Sequence, residues 1–598
     1  VREFSRPVKV EVSAEARLPD TVFARAAEEP TAVALRRQES GQWRDVSCRE
    51  FRDDVAALAK ALIAAGIEHG DRVGLMSRTR YEWTAIDYAV WAVGAVTVPI
   101  YETSSEEQAA WILGDSGSRA VFVETAEHAE RVEAVRSDLP GLAHVWQIEG
   151  NALAAFTAGG AQVGDDVLER RRTAGGVDEL ATLIYTSGTT GRPKGCELTH
   201  RNLLFTILNI IRGPLEEVFT LEGRSTLLFL PLAHSFARII QIGCIESRTV
   251  LGHFPTTGPE LIDTLGVYRP TFLLAVPRVF EKVYNKAEQK AVSEGRGKIF
   301  AAAADTAIAY SRALDSGRVP LALRLKHGLF AKLVYGKILA AVGGRARYAV
   351  SGGSALGTRL GHFFRGVGLT IIEGYGLTET SAPTAVNSPD RNKIGTVGGP
   401  FPGVTLRIDE DGEVLVKGDH VMRGYWGNEA ATKEAFDGEG WYRTGDLGAL
   451  DEDGHLSITG RKKEIIVTAG GKNVAPAVLE DRIRGHAIVS QCMVVGDNRN
   501  FISALITIDP DAFEFWRAQH NRTGTIADLV DDPDLRAAVQ EAVDDANKAV
   551  SRAESVRKFT ILPEDFSEEG GQMTASLKIK RHVVAKQYAA QIDALYTG

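Results

Sequence analysis

Over positions 51–149 the apolar residues come in short runs separated by helical patterns: DRVGLMS, then RYEWTAIDYAVWAVGA, then VTVPIY, then a helix from Ser104, then RAVFVE. Such alternation predicts a parallel sheet with crossover helices. Ser104 followed three residues later by Glu107 has the form of a capping box and marks the start of its helix. The rhythm restarts at STLLFLPL and runs through a helix at Ile239, RTVLGHF, a helix near Leu261, TFLLAVP, a long helical stretch, RYAVSGG, another helix and TIIEGYG. A second α/β layer is therefore expected. From Val404 the pattern shortens, and VTLRIDEDGEVLVKG reads as two strands turned at Asp411 and Gly412, part of a small β subdomain. Beyond Gly460, a helix over 477–484 precedes the strands CMVVGD and SALITID and then acidic helices.

The expected fold class is α/β. A large N-terminal domain over 1–461 combines two doubly wound α/β subdomains with a small β subdomain, and a smaller α+β C-terminal domain covers 462–598. The segment 285–344 stands apart, being helical, rich in Ala, Lys and Arg, and poor in strand signals. Within it Arg324, Lys326, Lys332 and Lys337 fall among apolar residues. Two readings fit: helices packed on the parent domain, and an amphipathic surface helix that could touch a membrane peripherally.

Length changes the picture by requiring more than one core, since 598 residues exceed what a single core sustains. A hydrophobic content of 44%, a charged content of 25% and a net charge of −9 are ordinary for a globular chain and leave no basic footprint for nucleic acid. Cys48, Cys196, Cys244 and Cys492 show no CxxC pairing, which disfavours a disulfide framework or a zinc site and fits a reducing cytoplasm. The opening VREFSRPVKVEV lacks the apolar stretch of a secretory signal. The most apolar long run, at positions 88–100, is interrupted by Gly94, Thr97 and Pro99 and is too short to span a bilayer. Contact at the inner face of the membrane is thus expected to be peripheral.

The candidate chemistry begins with YTSGTTGRPKG at positions 185–195, after the apolar Leu180, Ala181, Leu183 and Ile184. Glycine lets backbone N–H groups approach phosphate oxygens, the hydroxyls of Ser187, Thr189 and Thr190 add donors, and Lys194 adds a compact charge. Thr186, Gly188 and the residues around them form the expected grip on ATP. The spacing is not GxxxxGK[ST], because Pro193 separates the last glycine from Lys194 and Gly195 follows it.

Five more segments supply what such a site would need. SGGSAL offers Gly352, Gly353 and Ser354 at a strand end, where a flat base can lie on backbone. EGYGLTET brings Tyr375 and Gly376 for the base, the Thr378 hydroxyl for phosphate, and Glu379 as a ligand for Mg²⁺. In GWYRTGDLG, Asp446 is an acceptor-only group for ribose hydroxyls. GRKKEIIVTAGGKNVAP holds Arg461, in reach of ribose or phosphate, and QMTASLKIKR holds Lys578. Each segment also has a plainer reading as a solvated turn or charged face.

Taken in order, YTSGTTGRPKG, LPLAHSFAR, SGGSAL, GYGLTET, YRTGDLG, GRKKEIIVTAGGKN and TASLKIKR resemble the adenylate-forming superfamily over about residues 20 to 590. The long helical segment and the wording GRKKEIIVTAGGKNVAP look like bacterial, actinobacterial-type long-chain fatty acid CoA ligases. The resemblance implies activation of a fatty acid by ATP to acyl-AMP, transfer to coenzyme A, and a mobile C-terminal domain. It implies that Lys578 is the adenylation lysine, that Lys463 marks the hinge, and that His234 lies at the mouth of the acyl pocket, with a buried structural histidine as the other reading. Leu577 replaces the more common glycine before that lysine, and Lys472 stands where several relatives carry another residue.

The rival reading is a fatty acyl-AMP ligase that loads a carrier protein. Its resemblance would bring an insertion between GYGLTET and TGD, but the 67 positions from 379 to 446 are filled by the hairpin and turns. A catalytically silent nucleotide binder is disfavoured by the joint presence of Lys194, Glu379, Asp446, Arg461 and Lys578. An amino-acid adenylation domain is disfavoured because no carrier domain follows the lysine motif.

Overall fold

The computed structural model describes residues 2–186, 192–258, 260–574 and 577–597. The first alternating region builds a six-stranded sheet in the order His144–Gln147, Ala120–Val123, Arg72–Met76, Val96–Ile100, Leu180–Thr186, Lys194–Thr199. All neighbours are parallel except the last pair, whose antiparallel register sets Thr186 opposite Lys194. The helix in this region starts one residue later than Ser104 suggests. Ser105 is the cap, exchanging hydrogen bonds with Gln108, while Ser104 is buried with its N–H on the Tyr101 carbonyl. Glu106 and Glu107 occupy the first helical turn, where negative charge suits the helix dipole.

The second α/β layer divides between two sheets. Phe272–Ala275, Tyr348–Ser351 and Thr370–Leu377 run parallel, followed by the antiparallel Ala382–Val386 and Gly399–Pro400. Ser225–Leu228 and Val250–His253 instead join a hairpin formed by Val33–Glu39 and Gln42–Ser47. Thr271 stitches the two sheets together through paired hydrogen bonds with Ser225. The β subdomain is a five-stranded antiparallel sheet that includes the expected turn at Asp411 and Gly412 and recruits Glu3–Ser5 as an edge strand.

One large hydrophobic core runs through these units as far as Leu456, beside a separate cluster on the first sheet that includes Met76, Val98 and Leu183, and a second core begins at Ile466. The second core packs the helices Pro476–Arg484 and Pro533–Asn547 against a three-stranded sheet, Val489–Val495, Ile502–Ile508 and Val556–Ile561. Lys472, whose place the resemblance left open, points its ammonium at Glu554 inside this smaller unit, 3.8 Å away. The segment that was poor in strand signals is helical: Pro277–Ser293, Gly297–Asp315, Leu321–Phe330, a π turn at Ala331–Tyr335, and Gly336–Ala341.

A buried ion pair positions the site from behind. Arg238 and Asp87 meet at 2.6 Å with both side chains fully inaccessible, and the guanidinium lies between the rings of Trp83 and Trp91. Gln241 donates a further hydrogen bond to Asp87. This pins the helix Ser235–Glu246, whose N-terminal end carries His234.

Candidate active site

A cavity of about 2170 Å³ opens where the large unit meets the smaller one. Of the residues expected at the site, Thr186, Lys194, His234, Gly352, Gly353, Tyr375, Gly376, Thr378, Glu379, Asp446, Arg461, Lys463 and Lys578 all line it. Ser354 does not: it lines an adjoining cavity of about 1700 Å³, because the chain turns away after Gly353, whose φ of +87° suits glycine. Ser187, Gly188, Thr189 and Thr190 lie outside the described residues.

The ribose candidate Asp446 is 3% exposed and sits opposite Arg461 in the strand pair. Its Oδ1 is 3.2 Å from Arg461 Nε, and its Oδ2 accepts a 2.6 Å hydrogen bond from the Tyr375 hydroxyl. Burial pushes this carboxyl above its ordinary range, with Arg461, Tyr375 and Lys578 opposing. Tyr375 is therefore anchored by its hydroxyl, leaving its ring as a fixed wall. Gly376 has a backbone reason for its identity, since a Cβ there would stand 1.6 Å from the Ala382 carbonyl oxygen, at an irregularity in the strand.

A second chain of contacts joins the phosphate and metal candidates. Lys194 Nζ lies 4.5 Å from the centre of the Tyr425 ring, and the Tyr425 hydroxyl donates to Glu379 Oε1 at 2.9 Å. The far limb of the glycine-rich hairpin is held by Trp111, which donates to the Pro193 carbonyl at 2.8 Å and stacks beneath Arg192. Glu379 presents carboxylate oxygen to the cavity beside Thr378, a donor set that suits a hard divalent cation brought in with a triphosphate.

His234 stands at the head of the helix Ser235–Glu246. Its Nδ1 accepts the Phe236 N–H at 3.2 Å, capping the helix, while the ring lines the cavity. Burial first, and the charge of Lys578 second, lower its pKa to about 4. Near neutral pH the ring is uncharged, and because Nδ1 is an acceptor, Nε2 carries the proton.

Lys578 reaches the same space from the small unit. Its turn is closed by hydrogen bonds from Leu577 N–H to the Thr574 carbonyl and from Lys578 N–H to Thr574 Oγ1. Enclosure in the cleft, then the charge of Arg461, push the ammonium's pKa down, while Asp446 and Glu379 pull it up. Protein surrounds the side chain on several sides, yet much of its area faces the water-filled cleft, so solvent screening weakens that downward push. Leu577, the departure noted in the sequence, has φ +60° and is 56% exposed, so the position has the left-handed geometry in which glycine is at ease.

Away from these charges the lining becomes apolar, through Ile207, Ile210, Leu215, Phe219, Ile239, Ile240 and Leu274. Two contributors escaped the sequence reading. Tyr425 carried no signal beyond an aromatic pair with Trp426. Glu413, 3% exposed, accepts the Gly445 N–H and a charge-assisted bond from Lys462, bracing the strand that presents Asp446, but in sequence it is only a strand residue after a turn.

Residues 22–426 match the family model described as AMP-binding enzyme, and residues 463–598 match the AMP-binding enzyme C-terminal domain. The chain is 52% identical, over the full length of both, to long-chain-fatty-acid–CoA ligase FadD15 of Mycobacterium tuberculosis. It is 31% identical to long-chain-fatty-acid–CoA ligase ACSBG2 of Xenopus laevis, over 94% of this chain and 81% of that one. Among solved structures, the fold matches a Mycobacterium tuberculosis fatty acyl CoA synthetase with a TM-score of 0.62 at 22% identity, covering 96% and 99% of the two chains. It also matches the A domain of a carboxylic acid reductase from Segniliparus rugosus, with a TM-score of 0.75 at 21% identity, covering 98% and 95%.

Proposed function

Because this chain belongs to the AMP-binding enzyme family, we infer that it is an ATP-dependent long-chain fatty acid–CoA ligase. The carboxylate of the fatty acid attacks the α-phosphorus of ATP, giving acyl-AMP and expelling pyrophosphate. The thiol of coenzyme A then attacks the acyl carbon, loses its proton, and expels AMP. Both steps bring anions together, so the protein's contribution is placed charge rather than a nucleophile of its own.

The observation that carries this reading is the convergence of Lys578, Asp446, Arg461, Glu379 and His234 on one cavity whose other walls are apolar. In this reading Asp446 accepts hydrogen bonds from the ribose hydroxyls while Arg461 and Tyr375 keep it in place. Lys194 and the glycine-rich hairpin hold the outer phosphates. Glu379 would hold Mg²⁺, which when bound neutralises phosphate charge. Lys578 lies between the carboxylate and the α-phosphate, lowering their repulsion, and His234 offers its Nε2–H to a carboxylate oxygen. The apolar arm takes the acyl chain.

The division between 461 and 462, with Lys463 beside it as hinge, is also part of this proposal. It is supported by the change of core between Leu456 and Ile466. Rotation there would withdraw Lys578 and open a path for the thiol. The four cysteines are buried and unpaired, which supports a cytoplasmic setting. No helix among the described residues is long and apolar enough to cross a membrane.

The test is pyrophosphate release across acids from acetate to a twenty-four-carbon chain, with and without coenzyme A. Release with long-chain acids, accompanied by thioester when coenzyme A is added, is expected. Pyrophosphate and acyl-AMP with no thioester would favour the acyl-AMP ligase, and no release with any fatty acid would refute both.

A further inference from the structure

The helix Leu321–Phe330 and the π turn Ala331–Tyr335 that continues it are packed by their polar and aromatic side. The His327 ring stacks on Tyr310 with centroids 3.8 Å apart, and its Nε2 is 2.6 Å from the Gly366 carbonyl oxygen. Phe330 is buried, and the Tyr335 hydroxyl donates to the Ala303 carbonyl at 2.8 Å. The outward side carries Leu321, Leu325, Leu329 and Leu333, which are 70%, 68%, 56% and 52% exposed. A spacing of four places them along one face. Arg324, Lys326, Lys332 and Lys337 are exposed on the same segment.

The charge around this stripe runs against that of the whole molecule. Positions 316–372 contain nine Lys and Arg and not one Asp or Glu, in a chain whose net charge is −9. A row of outward leucines flanked by cations is the pattern of a helix that lies in a lipid interface, with long basic side chains reaching up to the phosphates. A second copy fits poorly. A two-fold contact through this face would set the same cations against one another, with no carboxylate in the segment to offset them.

We propose that this face docks peripherally on an anionic lipid bilayer, its leucines entering the boundary between headgroups and acyl chains and its four basic side chains meeting lipid phosphates. The docking stands on the surface alone. Its use, bringing the cavity to where long acyl chains are concentrated, rests on the ligase reading.

The experiment is vesicle flotation of the full chain with phosphatidylglycerol–phosphatidylcholine vesicles and with pure phosphatidylcholine, at low and high salt. Two variants accompany it: Leu321→Gln/Leu325→Gln/Leu329→Gln and Lys326→Glu/Lys332→Glu. The unaltered protein should float with the anionic vesicles at low salt and release at high salt. Partitioning should fall at least about 25-fold in the charge variant, from roughly fivefold per basic side chain lost, and at least about tenfold in the leucine variant. Both variants should activate octanoate within about twofold of the parent, which shows that they are folded. A parent that stays unbound at low salt, or variants that float as well as the parent, would overturn the proposal. So would a dimer abolished by the leucine change in the absence of vesicle binding, which would assign the face to a second copy. If octanoate and longer acids are not activated at all, the ligase reading fails while the flotation result stays interpretable.

Discussion

Asp446 and Lys578 face the same cavity, but they are held there in different ways. Asp446 belongs to a paired strand, is almost wholly buried, and has both carboxylate oxygens engaged by Arg461 and Tyr375. Lys578 belongs to a tight turn on the smaller unit, beside an exposed leucine in a left-handed conformation. That unit meets the large one through contacts such as Thr103 Oγ1 to Glu568 at 2.8 Å and the ion pair of Arg278 with Asp509. The difference separates two tasks. In the proposed reading, a preorganised half holds the nucleotide through both reactions, whereas the half that supplies charge for only one of them leaves between them.

The largest effect should come from the movable half. Lys578→Ala is expected to slow acyl-AMP formation by about a thousandfold or more, since it removes a positive charge placed where two anions meet. Thioester formation from supplied acyl-AMP should change little. Rapid-quench measurement of each half-reaction checks this, and equal losses in both would erase the comparison.

Asp446→Asn probes the fixed half. It places an amide against two donors, Arg461 Nε and the Tyr375 hydroxyl, at a cost of about 2–3 kcal/mol, or roughly 30- to 160-fold. Both half-reactions should suffer alike, because both require a held adenylate. A loss confined to one of them would show that Asp446 also changes partners during the cycle.

How much of this was legible in the sequence follows from the same contrast. The alternating strands and helices, the hairpin at Asp411 and Gly412, and the ordered motifs are local patterns, and they lead to the large domain, the small one and most of the cavity lining. Pairings between distant segments leave no local trace. Nothing near Glu3–Ser5 announces an edge strand against Thr405–Ile408, nor does Val33–Ser47 announce its place beside Val250–His253. Ser104 and Ser105 are equivalent as letters, and only burial of the first makes the second the cap. Tyr425 and Glu413 act by bracing other residues, a role that depends on neighbours brought in by folding.

The pH dependence of stability from acid to neutral should report the large domain, which holds the strongly shifted histidines and glutamates. Burial lowers His234 and His253 to about 4 and His420 to about 3, and raises Glu246 and Glu373 to about 7. For the histidines the unfolded chain binds more protons below its pKa of about 6.5, so stability is lost as pH falls through that range toward their folded values. For the two glutamates the folded state binds more protons between about 4.5 and 7, so their contribution is lost as pH rises. The effects oppose each other from about pH 4.5 to 6.5, and below 4.5 the histidines are joined by carboxylates held below their ordinary range, such as Glu82 and Glu124. Urea titrations should therefore give a shallow profile down to about pH 5 and a steeper loss beneath it. A steep rise in stability from pH 7 to 5 would mean that the glutamates dominate.

The smallest effect is expected at Leu577→Gly. Glycine relieves roughly 1–2 kcal/mol of left-handed strain but also frees the unfolded chain, so adenylation rates should move by less than about threefold. A larger fall would give the leucine side chain a part in seating Lys578.

Mobility itself is tested most directly by removing it. The contact between Thr103 and Glu568 crosses from one unit to the other, and the native cysteines are buried. The double variant Thr103→Cys/Glu568→Cys, joined by a short reductant-cleavable cross-linker, should therefore hold Lys578 in the cleft. The account predicts one acyl-AMP and one pyrophosphate per joined enzyme, no thioester when coenzyme A is added, and recovery of thioester synthesis on reduction. Thioester formation at the parent rate while the link is intact would contradict it.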